Sequence, residues 1–199
     1  MNTLRKERIK AAFKYTWPFY IISALIIGFG LNFIFSITHK TPAYKTLTVF
    51  VSGIVKDLKA FKKDTLAKYE DKELKSVTYI EADPSEGTYY TKLSVAGYSS
   101  ADVLIIPVSK LENLNLSAFA LELEDSLINE YCPGYTFYKQ EEVNYGIKLD
   151  KSKVEEYVYL PSEDCYMFLN ATSVNLGEYS KKQIKEHDVA LCVAKDWGM

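Results

Sequence analysis

Four aliphatic residues in a row, Val103-Leu104-Ile105-Ile106, stand out in a chain with many charges. A strand with one solvated face alternates, so an unbroken run of this kind asks for cover on both faces, as in a sheet between helices. The neighbouring pattern predicts that cover. Residues 44–53, rich in β-branched and aromatic side chains and closed by Ser52-Gly53, read as a first strand. Ile54, Leu58, Phe61, Leu66 and Tyr69 then recur on one helical face, with lysines opposite. Residues 76–82 read as a second strand. Asp83-Pro84-Ser85-Glu86 predicts a helix start: Asp83 caps the free amides, Pro84 loses nothing at the first position, and Glu86 reaches back. That helix carries Tyr90, Leu93 and Val95 and stops near Gly97. Pro107 ends the third strand, and Ser109 with Glu112 predicts a capped helix through Leu111 and Leu114. Strand and helix alternating in this way predict an α/β domain with a mostly parallel sheet flanked by helices.

Beyond residue 116 the alternation loosens. Phe119, Leu123, Leu127 and Tyr131 keep helical spacing until Cys132-Pro133-Gly134 breaks it. Residues 135–149 read as two antiparallel strands joined around Glu141 to Asn144, and 156–160 and 165–172 as further short strands. A closing helix is predicted from about Ser180, capped by Ser180 and Gln183, with Ile184, Leu191 and Ala194 facing inward.

The N-terminal pattern is different in kind. Residues 17–37 carry no charge, and at ~1.5 Å rise per residue that length crosses a hydrocarbon core of ~30 Å. Trp17, Phe19 and Tyr20 sit at one end, where amphipathic rings suit an interface. Arg5, Lys6, Arg8, Lys10 and Lys14 precede the span, so the positive-inside rule places residues 1–16 in the cytoplasm as a basic tail. The apolar run exceeds a signal-peptide core, and the stretch after it offers no small-x-small cleavage site. The expected organisation is a tail at 1–16, an uncleaved transmembrane signal anchor at 17–37 in the lipid bilayer, a linker at 38–44, and an extracytoplasmic domain at 45–199.

Charge divides at the same place. Residues 1–44 hold six Lys/Arg and one acid, whereas 45–199 hold 18 Lys/Arg and 25 Asp/Glu. An acidic domain is poorly suited to a phosphate backbone, so no nucleic-acid partner is expected. The cysteines, Cys132, Cys165 and Cys192, show no metal or redox spacing; in an oxidising compartment Cys132 and Cys165 could pair. His39 lies beside the span and His187 on the polar side of the closing helix. No zinc-protease, serine-hydrolase or phosphate-loop motif is present, so neither an enzyme nor a cofactor is expected. Asp102, with Ser99 and Ser100, reads as a turn device at the start of the third strand. Glu141-Glu142 and Glu155-Glu156 read as solvated turns.

The stretches "LTVFVSG…DLKAFKKDTLAKYE", "VTYIEADPSEGTYYTKLSVAGYSSADVLIIP", "YGIKL" and "CYMFLNATSVNLGEYS" resemble the extracellular solute-binding proteins of bacterial ABC importers, the sugar-type family. The resemblance implies a periplasmic-binding-protein-like fold, a small solute such as a sugar, and an ABC permease as partner. The chain has about one lobe where that family closes two on its ligand, and a single lobe cannot bury a solute by hinge closure. In an open parallel sheet of order 2-1-3, ligands gather outside the carboxyl ends of strands one and three. That crevice would be lined by Ser52, Gly53, Asp83, Ser85, Pro107 and Ser109, although Asp83 and Ser109 also have full employment as caps. Two functions follow: a membrane-anchored solute-binding-like module that captures a solute or assists a transporter, or a non-catalytic scaffold that docks another envelope protein.

Overall fold

Strands form at Thr46–Ser52 (β1), Ile54–Val55 (β2), Ser76–Ala82 (β3), Val103–Pro107 (β4), Phe137–Gln140 (β5), Val143–Lys148 (β6), Val158–Tyr159 (β7) and Cys165–Leu169 (β8). The computed structural model describes residues 3–38, 41–180 and 187–199; within the first helix, side chains are described at 6, 7, 14, 16–33 and 35. The chain divides into two compact units, Met1–Lys40 and Thr41–Met199.

The first unit is one helix, α1 (Thr3–Thr38), which takes in the basic tail as well as the apolar run. Its segment Thr16–Phe33, with mean hydropathy 1.5, is long and apolar enough to cross a membrane.

In the second unit the six-stranded sheet has the order β3-β1-β4-β8-β6-β5. Its first half is parallel, with β1 pairing β3 and β4 in the expected 2-1-3 order. Its second half is antiparallel: β8 returns beside β4, β6 lies against β8, and β5 closes the hairpin with β6. The sheet is therefore mixed rather than mostly parallel, because the hairpin of residues 137–148 joins through β8 instead of forming a layer of its own.

β4 is the centre of this sheet, and all five of its residues are buried. Val103 and Ile105 point into one core, with Val49, Val51, Leu127, Met167 and Leu191. Leu104 and Ile106 point into the other, with Phe50, Tyr89, Leu93, Leu116 and Phe168. Cover on both sides is what the unbroken run required. The first core is closed by α2 (Leu58–Lys68) and α6 (Val189–Trp197), the latter with Leu191 and Ala194 buried as expected. The second is closed by a helical stretch made of α3 (Tyr89–Lys92), a π-turn (Leu93–Gly97) and α4 (Tyr98–Ser100).

Several local expectations are corrected. Ile54 belongs to β2 rather than to a helix face, because Asp57 caps α2 by accepting from the amides of Lys59 and Ala60 at 3.0 and 2.9 Å. Asp83 does not cap a helix; it accepts from the Ser85 amide and hydroxyl at 2.8 and 2.7 Å, closing a local turn two residues long. Glu86 binds Thr88 and Lys92 instead of reaching back. Gly97 does not end its helix but lies buried within it, where an added Cβ would stand 2.9 Å from Leu93 and 3.2 Å from Leu104. Ser109 and Glu112 start no α-helix: a 3-10 turn, Val108–Lys110, takes that place. The helix after it, α5 (Asp125–Tyr131), excludes Phe119 and Leu123. Gln183 and Ile184 lie outside the described residues, and Ser180 donates its hydroxyl to the Ser173 carbonyl. The hairpin tip is as expected, with Glu141 and Glu142 both exposed and at positive φ (51° and 68°).

Candidate functional site

The six residues proposed from sequence all lie at or just after the carboxyl ends of the parallel strands, but their side chains answer to one another and to neighbours. Ser52, fully buried, shares a 2.7 Å hydrogen bond with the hydroxyl of Tyr89. Tyr89 is 1% exposed and rests edge-on against Phe50, with Tyr90 edge-on behind it. The ammonium of Lys110 lies 5.8 Å from both tyrosine rings, within cation–π reach. The crevice at the strand-order reversal is thus occupied by a ring of the chain itself. Burial holds the Tyr89 phenol well above its usual range, the Ser52 hydrogen bond offsetting only part of the rise.

The loops around the plug are tied as closely. An added Cβ at Gly53 would stand 2.4 Å from the Tyr159 carbonyl oxygen, so only glycine lets β7 approach here. Val55 of β2 donates its amide to Glu81 at 3.0 Å. The Asp83 carboxyl is held below its usual range, chiefly by the Ser85 amide and then by the Ser85 hydroxyl. Pro107 pairs with Cys165 in the β4–β8 ladder. Ser109 gives both its amide and its hydroxyl to Glu163, at 2.8 and 2.6 Å. Beside Gly53 and Asp83 an open groove of about 430 Å³ runs past Ile54, Glu86 and Lys92.

Large apolar side chains stand outward at this edge among the charged ones. Among the described residues of the second unit, seven large apolar side chains are exposed, and five of them follow the carboxyl ends of β1, β3 and β4 or pair with such a segment: Ile54, Leu58, Tyr90, Val108 and Tyr159. Tyr159 (65% exposed) pairs with Ile54 (52%) across the β2–β7 ribbon, and Lys56 sits 4.2 Å from its ring centroid. No pattern along the chain signals this, since a two-residue strand has no period.

The opposite, amino edge holds most of the buried polar groups. Asp102, expected in a turn, is 8% exposed and accepts from the Thr48 amide at 2.7 Å and from the Ser173 hydroxyl. Asn170 donates to the Tyr98 and Ala101 carbonyls, and Asn175 to that of Thr46. These bonds stitch the starts of β1 and β4 to the end of β8 around a cleft of about 210 Å³.

Cys132, Cys165 and Cys192 are all free thiols, so the suggested Cys132–Cys165 pairing is not made. Both residues lie within the first core as small apolar groups, and burial pushes each thiol up to about 11. His187 precedes α6 rather than lying on it and stacks on Tyr44 with centroids 4.3 Å apart. Among the described residues no group of three or more His, Cys, Asp or Glu is placed to hold a metal ion.

Replacing Tyr89 by Phe strands the buried Ser52 hydroxyl. We expect a loss of about 1 kcal/mol in urea unfolding, and adding Ser52→Ala should recover part of it, because no orphaned group then remains.

No protein-family model, curated protein or solved structure matches this chain.

Proposed function

We propose that the protein is a membrane-anchored, non-catalytic interaction module, its acidic domain held outside the cytoplasm by α1 and its carboxyl edge docking another envelope protein, such as a permease. The observation that carries this reading is the plugged crevice: Tyr89 fills the place where a solute would enter, while Ile54, Tyr90, Val108 and Tyr159 face outward around it. Solitary exposed apolar residues are ordinary, but their concentration on one edge is a feature of interfaces, where Tyr anchors and apolar neighbours exclude water. Orientation rests on the five Lys/Arg before the span. Capture of a solute in the crevice, as the likeness to importer-binding proteins would have it, requires Tyr89 to leave both Ser52 and Phe50.

A photo-crosslinking residue at position 159, in intact membranes, should give a discrete adduct of one mass. The same residue at 141, on the hairpin tip, should give none, and Ile54→Ser should weaken the adduct at 159 several-fold. Equal adducts from both positions, or a melting point raised by small sugars with Tyr89 in place, would refute docking at this edge.

A further inference from the structure

Away from both sheet edges, a cleft of about 170 Å³ opens between α2, the turn at 151–157 and the end of α6. Its floor is aromatic. Phe61 is stacked between Tyr79 (4.1 Å, 13°) and Tyr157 (4.7 Å, 3°), and Trp197 lies against it at 5.8 Å and 30°. Each phenol around the cleft is already turned away by a partner: Tyr157 donates to Asp64 at 2.7 Å, Tyr69 to Asp196 at 2.8 Å, and Tyr79 shares a bond with Thr65. The hydroxyls are thus satisfied within the chain and need nothing from a ligand.

The charges at the mouth are not equivalent. Asp64 accepts from the neutral Tyr157 phenol and keeps its charge, and Lys68 pairs with Asp196 at 3.1 Å. Lys153 lines the same cleft, is exposed, and lies within ion-pair distance of no carboxylate among the described residues. A floor of rings with an ammonium at its rim that no carboxylate pairs suits a flat ring that carries a negative charge. We propose that this cleft binds a small one-ring aromatic carboxylate, its ring against Tyr157 and Trp197 and its carboxylate on the Lys153 ammonium. Offset or edge-on ring contact and a charge-assisted hydrogen bond supply the two halves of recognition. An aromatic ammonium has the same ring and the wrong charge; acetate has the charge and no ring.

The chain has two tryptophans, so Trp17→Phe leaves Trp197 as the only indole. In the full-length protein in detergent micelles, benzoate should change Trp197 emission saturably, and saturation transfer to its ring protons should report the same binding independently. Acetate and benzylamine at the same concentrations should do neither. Lys153→Glu, a surface change away from the core, should weaken benzoate by about tenfold or more, and Lys153→Arg should stay within about threefold of the parent. The proposal fails if neither readout detects benzoate, if benzylamine binds as well as benzoate, or if Lys153→Glu leaves the affinity unchanged. None of these outcomes bears on docking at the carboxyl edge.

Discussion

Leu104→Ala and Ile105→Ala should each cost about 3 kcal/mol in urea unfolding, within the range for truncating fully buried aliphatic residues. Each side chain is at most 1% exposed, and each enters a different core. Leu104 packs into the space that Gly97 leaves by lacking a Cβ, so its removal opens a cavity beside Gly97. Because the two residues face opposite layers, their effects should nearly add, and the double variant should lose about 6 kcal/mol. Set against a typical domain stability of about 5–15 kcal/mol, that loss leaves the fold marginal or absent. Ile80→Ala, on the edge strand β3 and only partly buried, should cost about 1 kcal/mol. The midpoints should fall with m unchanged. If Ile105→Ala cost no more than Ile80→Ala, β4 would not be covered on both faces.

The features legible in sequence were those with a local period or a local stop signal. β1, β3 and β4 appear within two residues of their expected bounds because β-branched runs closed by Gly or Pro leave few alternatives, and their 2-1-3 order is a common one for strands that alternate with helices. The hairpin of β5 and β6 was legible for the same reason. Its attachment was not, since the contact of β6 with β4 passes through β8, a pairing fixed by residues far apart in the chain. Capping failed as a guide where one residue type serves two devices. Asp83 two residues before a serine closes a turn as readily as it starts a helix, and Ser109 is claimed by Glu163, 54 residues away. The edge on which the proposed site residues lie was readable; the ring that fills it was not, because no sequence pattern links Tyr89 to Ser52 across 37 residues. The apolar surface around that ring was equally hidden. It comes from a two-residue ribbon that exists only because Gly53 admits the Tyr159 backbone.

The burial of phenols has its own consequence in alkali. Tyr69, Tyr79 and Tyr89 are 4%, 8% and 1% exposed, and for each of them desolvation is the largest cause raising the pKa well above the usual phenol range. Tyr69 is raised further by its hydrogen bond to Asp196, whereas the bonds of Tyr79 to Thr65 and Tyr89 to Ser52 pull slightly the other way. In the unfolded chain these phenols ionise near pH ~10. Above that pH the unfolded state holds fewer protons than the native one, so stability falls as pH rises, by about 1.4 kcal/mol per pH unit for each tyrosine. Below pH ~10 all three are neutral in both states, and their contribution is fully present. Three such groups together should remove about 3 kcal/mol between pH ~10 and ~11, as much as either single β4 truncation takes away. Absorbance at 295 nm should accordingly show two populations. The exposed phenols should titrate first without loss of circular dichroism; the buried set should ionise only in step with unfolding, along one steep transition. Tyr79→Phe, which deletes one of the three ionisations and keeps the stack on Phe61, should move that transition to higher pH even where it lowers stability at neutrality by stranding Thr65. Were the buried set to titrate smoothly alongside the exposed phenols, with the fold intact, the rings would be open to water, and both the plug at Ser52 and the aromatic floor around Phe61 would have to be abandoned.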